Sequence, residues 1–423
     1  MVVSAAFALF LMLSVPIAHV LAISAAIYIG HSGNWVLLQS FPQQLYGGLE
    51  KYGLLAIPLF MLVGELMNEG GITRRLINFA SVFVGSLRGG LAYINLVANM
   101  FMAAIIGSAN AQIAVMGHAM VPEMVKRGYN REFSTAVTAA GGLMAPIIPP
   151  SMLFIIYGVL AQISIGDMFL SGVIPGILMG VFFAAVIAVM GFFYNYPQEK
   201  RKSLRESFAA VIDAAPSLSI PVIIIGGIAS GVATPTESAA LAAVVSLIVG
   251  VVFYREFRVE HVPEMLVRLV ANSSTVLFLV ATANVFGWII VYERVPQTLA
   301  DMMQQFTDNP FVFLLLLNVL LLGVGMILDG IAALILIVPI LLPIAMSSYG
   351  IDPFHFGVVI CLNLVIGLMT PPVGTALYIA ANVSGCKPMA IMKPFMPFLL
   401  ASLAVLFLIT WEPRFVTWIL SRS

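Results

Sequence analysis

The chain has 423 residues, 61% of them hydrophobic and 9% charged, with a mean hydropathy of +1.06. Soluble domains carry about 25% charged residues, and 19 Lys and Arg with 19 Asp and Glu cannot cover a chain of this length, so lipid is the expected solvent for most of it. Zero formal net charge argues against nucleic acid as a partner, and Cys361 and Cys386 supply neither a disulfide framework nor a four-ligand zinc site.

Taken in chain order, residues 1–30 form an apolar stretch without a basic leader and are expected to be the first span. Uncharged stretches follow at 89–122, 133–166, 168–198, 214–236, 269–292, 309–328 and 353–386. Each is long enough to cross a hydrocarbon core as helix, at about 20 residues per crossing. Long apolar runs without dyad alternation predict an all-α polytopic membrane protein of about a dozen helices or half-helices, not a barrel. Residues 196–216, with Lys200, Arg201, Lys202 and Arg205, read as a cytoplasmic linker between two halves.

The halves repeat one another. Gly107-Ser-Ala-Asn-Ala111 interrupts one apolar run and Ile148-Pro-Pro-Ser151 the next; Leu328-Asp-Gly-Ile331 and Thr370-Pro-Pro-Val-Gly-Thr375 do the same later, at an offset near 221 residues. Residues 1–195 are the expected first repeat, with a re-entrant hairpin at about 89–125 and a Pro-Pro broken helix at about 133–162. Residues 217–423 are the second, with a hairpin at about 309–346 and a broken helix at about 353–385. Arg88, Lys126, Arg127 and Arg131 flank the first hairpin, whereas Asp301, Asp308 and Asp352 flank the second. Short cytoplasmic loops collect Lys and Arg, so the repeats are expected to be inverted. The alternative is that Pro and Gly merely kink packed helices.

Helix breaks inside lipid expose backbone groups that suit ions: half-helix N-termini favour a carboxylate, and unwound carbonyls favour a cation such as Na⁺. Ser108 and Asn110 at the first break, Ser151 beside Pro149 and Pro150, and Thr370 and Thr375 in the second half are candidate ligands, although single Ser and Thr residues also bond helix carbonyls. Asp329 is the sharpest residue, because an ionisable group within an apolar run is a functional-site hypothesis by default; it also suits a helix N-cap, and the two roles are compatible. Glu237 reads as a helix start, Glu65 as interfacial, His118 as a hydrogen-bonded structural residue or a proton relay, and Trp35, Trp288, Trp411 and Trp418 as belt residues. The motifs of zinc proteases, serine hydrolases and phosphate-loop ATPases are absent, and no enzyme activity is expected.

Gly107-Ser-Ala-Asn-Ala111, Gly128-Tyr129, Ala145-Pro-Ile-Ile-Pro-Pro-Ser151, Gly172-Val-Ile-Pro-Gly176, Thr234-Pro-Thr-Glu237, Leu328-Asp-Gly330 and Thr370-Pro-Pro-Val-Gly374 together resemble the large membrane (M) subunit of tripartite ATP-independent periplasmic (TRAP) transporters, over essentially the whole chain. The resemblance implies an elevator-type secondary transporter of the bacterial inner membrane, in which a transport domain slides against a scaffold. It implies sodium-driven uptake of a small organic acid, delivered by a soluble periplasmic binding protein. It also implies a small four-helix membrane (Q) subunit, expected here as a separate chain. Carried onto this sequence, it places the substrate at Ser108, Asn110, Pro149, Pro150, Ser151 and Thr375. Sodium is placed at Ser108, Asn110, Ser151, Asp329, Gly330, Thr370, Gly374 and Thr375. Sialic acids and C4-dicarboxylates are both open as substrates, Gly107-Ser-Ala-Asn-Ala-Gln112 leaning toward the former. A passive anion pore is the competing reading; saturable flux would separate the two.

Overall fold

A computed structural model of the chain describes residues 2–84, 88–193, 196 and 203–420; Lys200, Arg201 and Lys202 of the expected linker lie outside them. The first half carries α1 (Val2–Met12), α2 (Ile17–Ser32), α3 (Val36–Gly47), α4 (Ala56–Glu69) and α5 (Ile72–Val84). The hairpin α6 (Gly90–Ile106) and α7 (Ala109–Lys126) follows, then α8 (Arg131–Gly142), α9 (Met152–Ala161) and α10 (Ile165–Phe193). The second half comprises α11 (Leu204–Ala229), α12 (Pro235–Ile248), α13 (Val262–Tyr292), α14 (Val295–Phe306), the hairpin α15 (Pro310–Ile327) and α16 (Gly330–Ser347), α17 (Pro353–Gly367), α18 (Thr375–Ser384) and α19 (Pro388–Trp411), before a short α20 (Arg414–Thr417). The 3-10 turns Tyr52–Leu55 and Val259–His261 lead into α4 and α13. Among the described residues eight helical segments are long and apolar enough to cross a membrane, beside four shorter apolar helices.

Local chemistry sets the boundaries. Ser203 with Glu206 and Thr234 with Glu237 form reciprocal capping boxes that start α11 and α12. Asn130, Asn309, Asp329 and Asp352 accept first-turn N–H groups at the starts of α8, α15, α16 and α17. The Ser203 cap places 204–216 inside α11, so the second half of the expected linker is helix. Residues 1–30 differ from a single span: Ser14 is left-handed (φ 58°), and Pro16, which disfavours helix at the residue before it, separates α1 from α2.

Packing is crosswise. The outer helix α2 lies on α13 and α12 lies on α4; α7 lies along α18 and α16 along α9. Each hairpin also packs on the broken helix of its own half, α6 and α7 on α8 and α15 and α16 on α17, while α10 and α19 pack together. Glycines allow the closest approaches. A Cβ built on Gly172 of α10 would stand 2.4 Å from the Ile147 carbonyl oxygen and 2.2 Å from Phe154, and one built on Gly367 would stand 2.6 Å from the backbone of Gly325. The Gly172-Val-Ile-Pro-Gly176 motif is thus the surface on which the first broken helix rests.

This packing gives a direct test. Gly172→Ala is expected to lower stability by about 1–3 kcal/mol, because the carbonyl it meets is backbone and cannot swing aside. Gly226→Ala, where an added Cβ meets nothing within 4 Å, should leave the melting temperature of the detergent-solubilised protein unchanged.

Candidate functional site

The broken helices stop and restart around cis peptide bonds at Pro149-Pro150 and Pro371-Pro372. α8 ends at Gly142 and α9 restarts at Met152, where Ser151 Oγ accepts the Phe154 N–H at 3.2 Å and donates to the Pro146 carbonyl at 2.5 Å. α17 ends at Gly367 and α18 restarts at Thr375, with Gly374 left-handed at φ 56°. The hairpins turn as tightly. Gly107 is left-handed at φ 62° before Ser108 opens α7, and Asp329 Oδ2 accepts the Ile331 N–H at 3.1 Å to open α16.

These four interruptions come together. The Met152 N–H donates to the Gly107 carbonyl at 3.3 Å, joining the first break to the first hairpin turn, and the Gly374 N–H donates to the Met326 carbonyl at 3.0 Å, doing the same in the second half. Across the halves, Asn110 Nδ2 donates to Asp329 Oδ1 at 3.4 Å. A Cβ on Gly330 would lie 3.7 Å from Leu153, the second residue of α9. The starts of α7, α9, α16 and α18 therefore gather in one region, where helix N-termini concentrate partial positive charge. The ends of α6, α8, α15 and α17 bring the complementary carbonyls.

The predicted residues divide by what their atoms already do. Asn110 Oδ1 and Thr375 Oγ1 are buried without a hydrogen-bond partner. Ser108, half-buried, makes no side-chain cap bond. A buried acceptor left unmatched is unfavourable by about 1–3 kcal/mol, so such atoms fit a bound cation or polar ligand. Ser151 is fully buried and locally bonded, and Thr370 Oγ1 donates to the Ile366 carbonyl at 2.9 Å, the ordinary helix bond open to it from sequence. Pro149 borders an apolar crevice with Phe169, Leu170 and Ile224, and the Pro150 carbonyl closes on Gly107. Gly330 and Gly374 offer backbone only, as the first residue of α16 and the N-cap of α18. Among the described residues no three His, Cys, Asp or Glu side chains cluster. The donor set of carbonyl, amide and hydroxyl oxygens with one carboxylate suits a hard cation such as Na⁺.

Other singled-out residues lie away from this region. Glu237 caps its own helix. Glu65 and Glu69 each accept from Arg268 of α13 at 3.1 Å, tying α4 to α13. His118 Nδ1 stands 2.8 Å from the Ala114 carbonyl on an exposed face of α7. Cys361 and Cys386 are both free thiols.

Two buried amide networks were not singled out from sequence. Gln112 Nε2 donates to Asn99 Oδ1 at 2.9 Å and Asn99 Nδ2 to Asn95 Oδ1 at 2.8 Å, while Asn95 Nδ2 donates to Thr138 Oγ1 at 2.6 Å, joining α6 and α7 to α8. In the other half Asn363 Nδ2 donates to Asn318 Oδ1 at 2.7 Å and Asn318 Nδ2 to Thr410 Oγ1 at 3.0 Å. The available signal was the Asn and Gln residues inside the uncharged runs 89–122, 309–328 and 353–386, since buried amides need partners.

A family profile described as the DctM component of the tripartite ATP-independent periplasmic transporter matches residues 4–415. The sialic acid TRAP transporter large permease protein SiaM of Vibrio cholerae is 40% identical over 377 residues, 88% of this chain and 87% of its own. The C4-dicarboxylate TRAP transporter large permease protein DctM of Pseudomonas aeruginosa is 37% identical over 376 residues, 89% and 88% of the two chains. The isethionate TRAP transporter permease protein DctMQ of Oleidesulfovibrio alaskensis is 39% identical over 414 residues; that match takes in 96% of this chain, which spans 64% of the longer protein. The solved YdaH transporter of Alcanivorax borkumensis shares the fold, with a TM-score of 0.66 at 14% identity, covering 96% of this chain and 97% of its own. The chain is a multi-pass membrane protein that belongs to the DctM-component family of TRAP transporters, a family of transporter permeases and not of enzymes.

Proposed function

We propose that this chain carries an organic acid anion across the bacterial inner membrane by sodium-coupled secondary transport of the elevator type. One observation carries the reading: the two hairpin turns meet at the Asn110 to Asp329 contact, and the segments that open α9 and α18 bond to the ends of α6 and α15 through Met152 to Gly107 and Gly374 to Met326. A carboxylate drawn by the starts of α7, α9, α16 and α18 would lie beside Ser108, Asn110, Pro149, Pro150, Ser151 and Thr375. Sodium would be held by oxygens of Ser108, Asn110, Ser151, Asp329, Gly330, Thr370, Gly374 and Thr375. Opposite charges bound a few ångströms apart in a low-dielectric site stabilise each other, so sodium and substrate should each raise the other's affinity.

The matched element lengths support a pair of repeats. α7 and α16 both have 18 residues, and α9 and α18 both have 10. Arg88, Lys126, Arg127 and Arg131 at the base of the first hairpin and Asp301, Asp308 and Asp352 at the base of the second favour inverted insertion, with the first base cytoplasmic. The hairpins, the broken helices, α10 and α19 would form the transport domain, and α1, α2, α4, α11, α12 and α13 the scaffold. In relatives the transported compound is sialic acid, a C4-dicarboxylate or isethionate by name, each with an anionic group, and none of these names supports a pore. A sialic acid or a C4-dicarboxylate is therefore the substrate proposed here. Its delivery would fall to a periplasmic binding protein, beside a small four-helix membrane subunit on a separate chain.

Uptake of radiolabelled sialic acid and of a C4-dicarboxylate into proteoliposomes holding the chain and its small partner is expected to need both the binding protein and an inward sodium gradient. Linear flux indifferent to sodium would overturn the reading. Asp329→Asn keeps the helix cap and removes the charge, and is expected to cut sodium-dependent uptake by tenfold or more, equivalent to about 1.4 kcal/mol of lost cation binding. Normal uptake with unchanged sodium dependence would remove Asp329 from the site. Thr375→Val exchanges an unmatched hydroxyl for a methyl, so the sodium-free protein should be as stable or more so while its sodium-induced rise in melting temperature shrinks. Ser151→Ala, by contrast, should lower stability with or without sodium by about 1 kcal/mol, through loss of the α9 cap.

A further inference from the structure

The halves share their elements but not what covers them. α16 lies against α13 and α14, and its neighbour α9 meets α4 and the Tyr52–Leu55 turn. The counterparts of α16 and α9 are α7 and α18, and neither makes comparable packing with α4, α5, α13 or the Val259–His261 turn. α5 instead lies on α6, the other arm of its hairpin. The shared face of α7 and α18 is accordingly open. The two helices start together and stay in contact down to Gly117, where an added Cβ would sit 2.7 Å from Val383. On one side of that seam His118, Pro122, Tyr378 and Asn382 are exposed. Exposed surfaces elsewhere carry Val181, Val189, Leu241, Val244 and Leu247, whereas this face sets the polar His118 and Asn382 beside Pro122 and Tyr378, a mixture that suits a wall in contact with water.

What closes the covered side is a lysine. Lys51 is the extended residue (φ −78°, ψ 117°) that heads the Tyr52–Leu55 turn, and its Nζ donates to the Val159 carbonyl at 3.1 Å. Val159 is the eighth residue of α9, which ends at the left-handed Gln162 (φ 56°). A cation there meets the negative end of the helix, and the contact is tight enough that burial lowers the Lys51 ammonium below the usual lysine range.

The lysine and the residue that it holds each have a counterpart by position. Arg258 is the extended residue (φ −105°, ψ 119°) that heads the Val259–His261 turn into α13. It is exposed; its carbonyl accepts the His261 N–H at 3.2 Å, while its guanidinium has no hydrogen bond or ion pair among the described residues. Asn382 is the eighth residue of α18, which ends at the left-handed Gly385 (φ 70°) as α9 ends at Gln162. Arg131 of α8 holds the Ser384 carbonyl at 3.3 Å, while Asn382 lies on the exposed side.

We propose that Lys51 and Arg258 are alternating latches between scaffold and transport domain. Lys51 holds the end of α9 in the conformation described, with the α7 and α18 face open to the cytoplasm. After the transport domain moves, Arg258 takes the Asn382 end of α18, α5 passes from α6 to α7, and that face is covered. The inference rests on the elevator reading and adds to it the residues that hold each end state. The repeat relation supplies the argument: exchanging the conformations of two like halves turns each contact of one into the corresponding contact of the other.

The test uses the full chain with its small partner in proteoliposomes, in a Cys361→Ala, Cys386→Ser background that retains uptake. Lys51→Cys with Val159→Cys and Arg258→Cys with Asn382→Cys are each treated with a bifunctional methanethiosulfonate about as long as a lysine side chain. Both pairs are expected to cross-link, each cross-link to stop uptake, and a reductant to restore it. Failure of the Arg258 and Asn382 pair to cross-link in protein that transports, while the Lys51 and Val159 cross-link stops uptake, overturns the latch exchange and leaves the elevator standing. Undiminished uptake with the Lys51 and Val159 pair joined overturns the elevator itself. A second measurement reads the latch directly: Lys51→Gln should slow labelling of His118→Cys by a membrane-impermeant thiol reagent on the cytoplasmic side by roughly two- to fivefold, the worth of a cation at a helix C-terminus. Unchanged labelling would reduce Lys51 to a neighbour of α9 without a latching role.

Discussion

A peptide group in lipid has no water to bond, so an interrupted helix must find its missing partners in protein or in a ligand. That constraint organises the centre of this molecule. Four interruptions would each be unfavourable alone; here they are set against one another, Met152 on Gly107, Gly374 on Met326 and Asn110 on Asp329. The groups these bonds leave over, among them Asn110 Oδ1 and Thr375 Oγ1, lie where the helix starts gather.

The rest of the inner body keeps the interruptions in register. Gly172 brings α10 against the Ile147 carbonyl, and Gly325 and Gly367 bring α15 and α17 together at backbone distance. The amide networks of Asn95, Asn99 and Gln112 and of Asn318 and Asn363 fix each hairpin to its broken helix. Hydrogen bonds in an apolar interior are directional as well as strong, and so hold the interruptions in place. The outer helices are joined to one another by charge instead. Arg268 reaches Glu65 and Glu69, and Arg75 reaches Glu256 at 2.9 Å and stacks 3.7 Å over Tyr254. The contact of Lys51 with Val159 is of another kind: one hydrogen bond to the end of a helix, readily exchanged.

Much of this was legible in the residues. The Pro-Pro pairs and the Gly-Ser and Asp-Gly turns lie where helices stop: α8 ends at Gly142 and α9 starts at Met152, while α15 ends at Ile327 and α16 starts at Gly330. Proline and left-handed glycine act locally, and local constraints are written in sequence. The same rule explains the split of residues 1–30 at Pro16, where composition suggested a span and the backbone chemistry of one residue decided otherwise.

Sequence by itself determined the solvent, the all-α class, the family and the places where helices stop, because each follows from composition, motif or short-range sterics. Only the tertiary structure decided which oxygens are committed and which are left over. Ser151 and Thr370 spend hydroxyl bonds within their own segments, while Thr375 and Asn110 keep buried acceptors free, and no spacing distinguishes them. It alone also decided that α9 and α16 are covered while α7 and α18 lie open. Which helices are covered is set by contacts between residues more than 100 apart, such as Lys51 and Val159, and local chemistry does not fix such contacts.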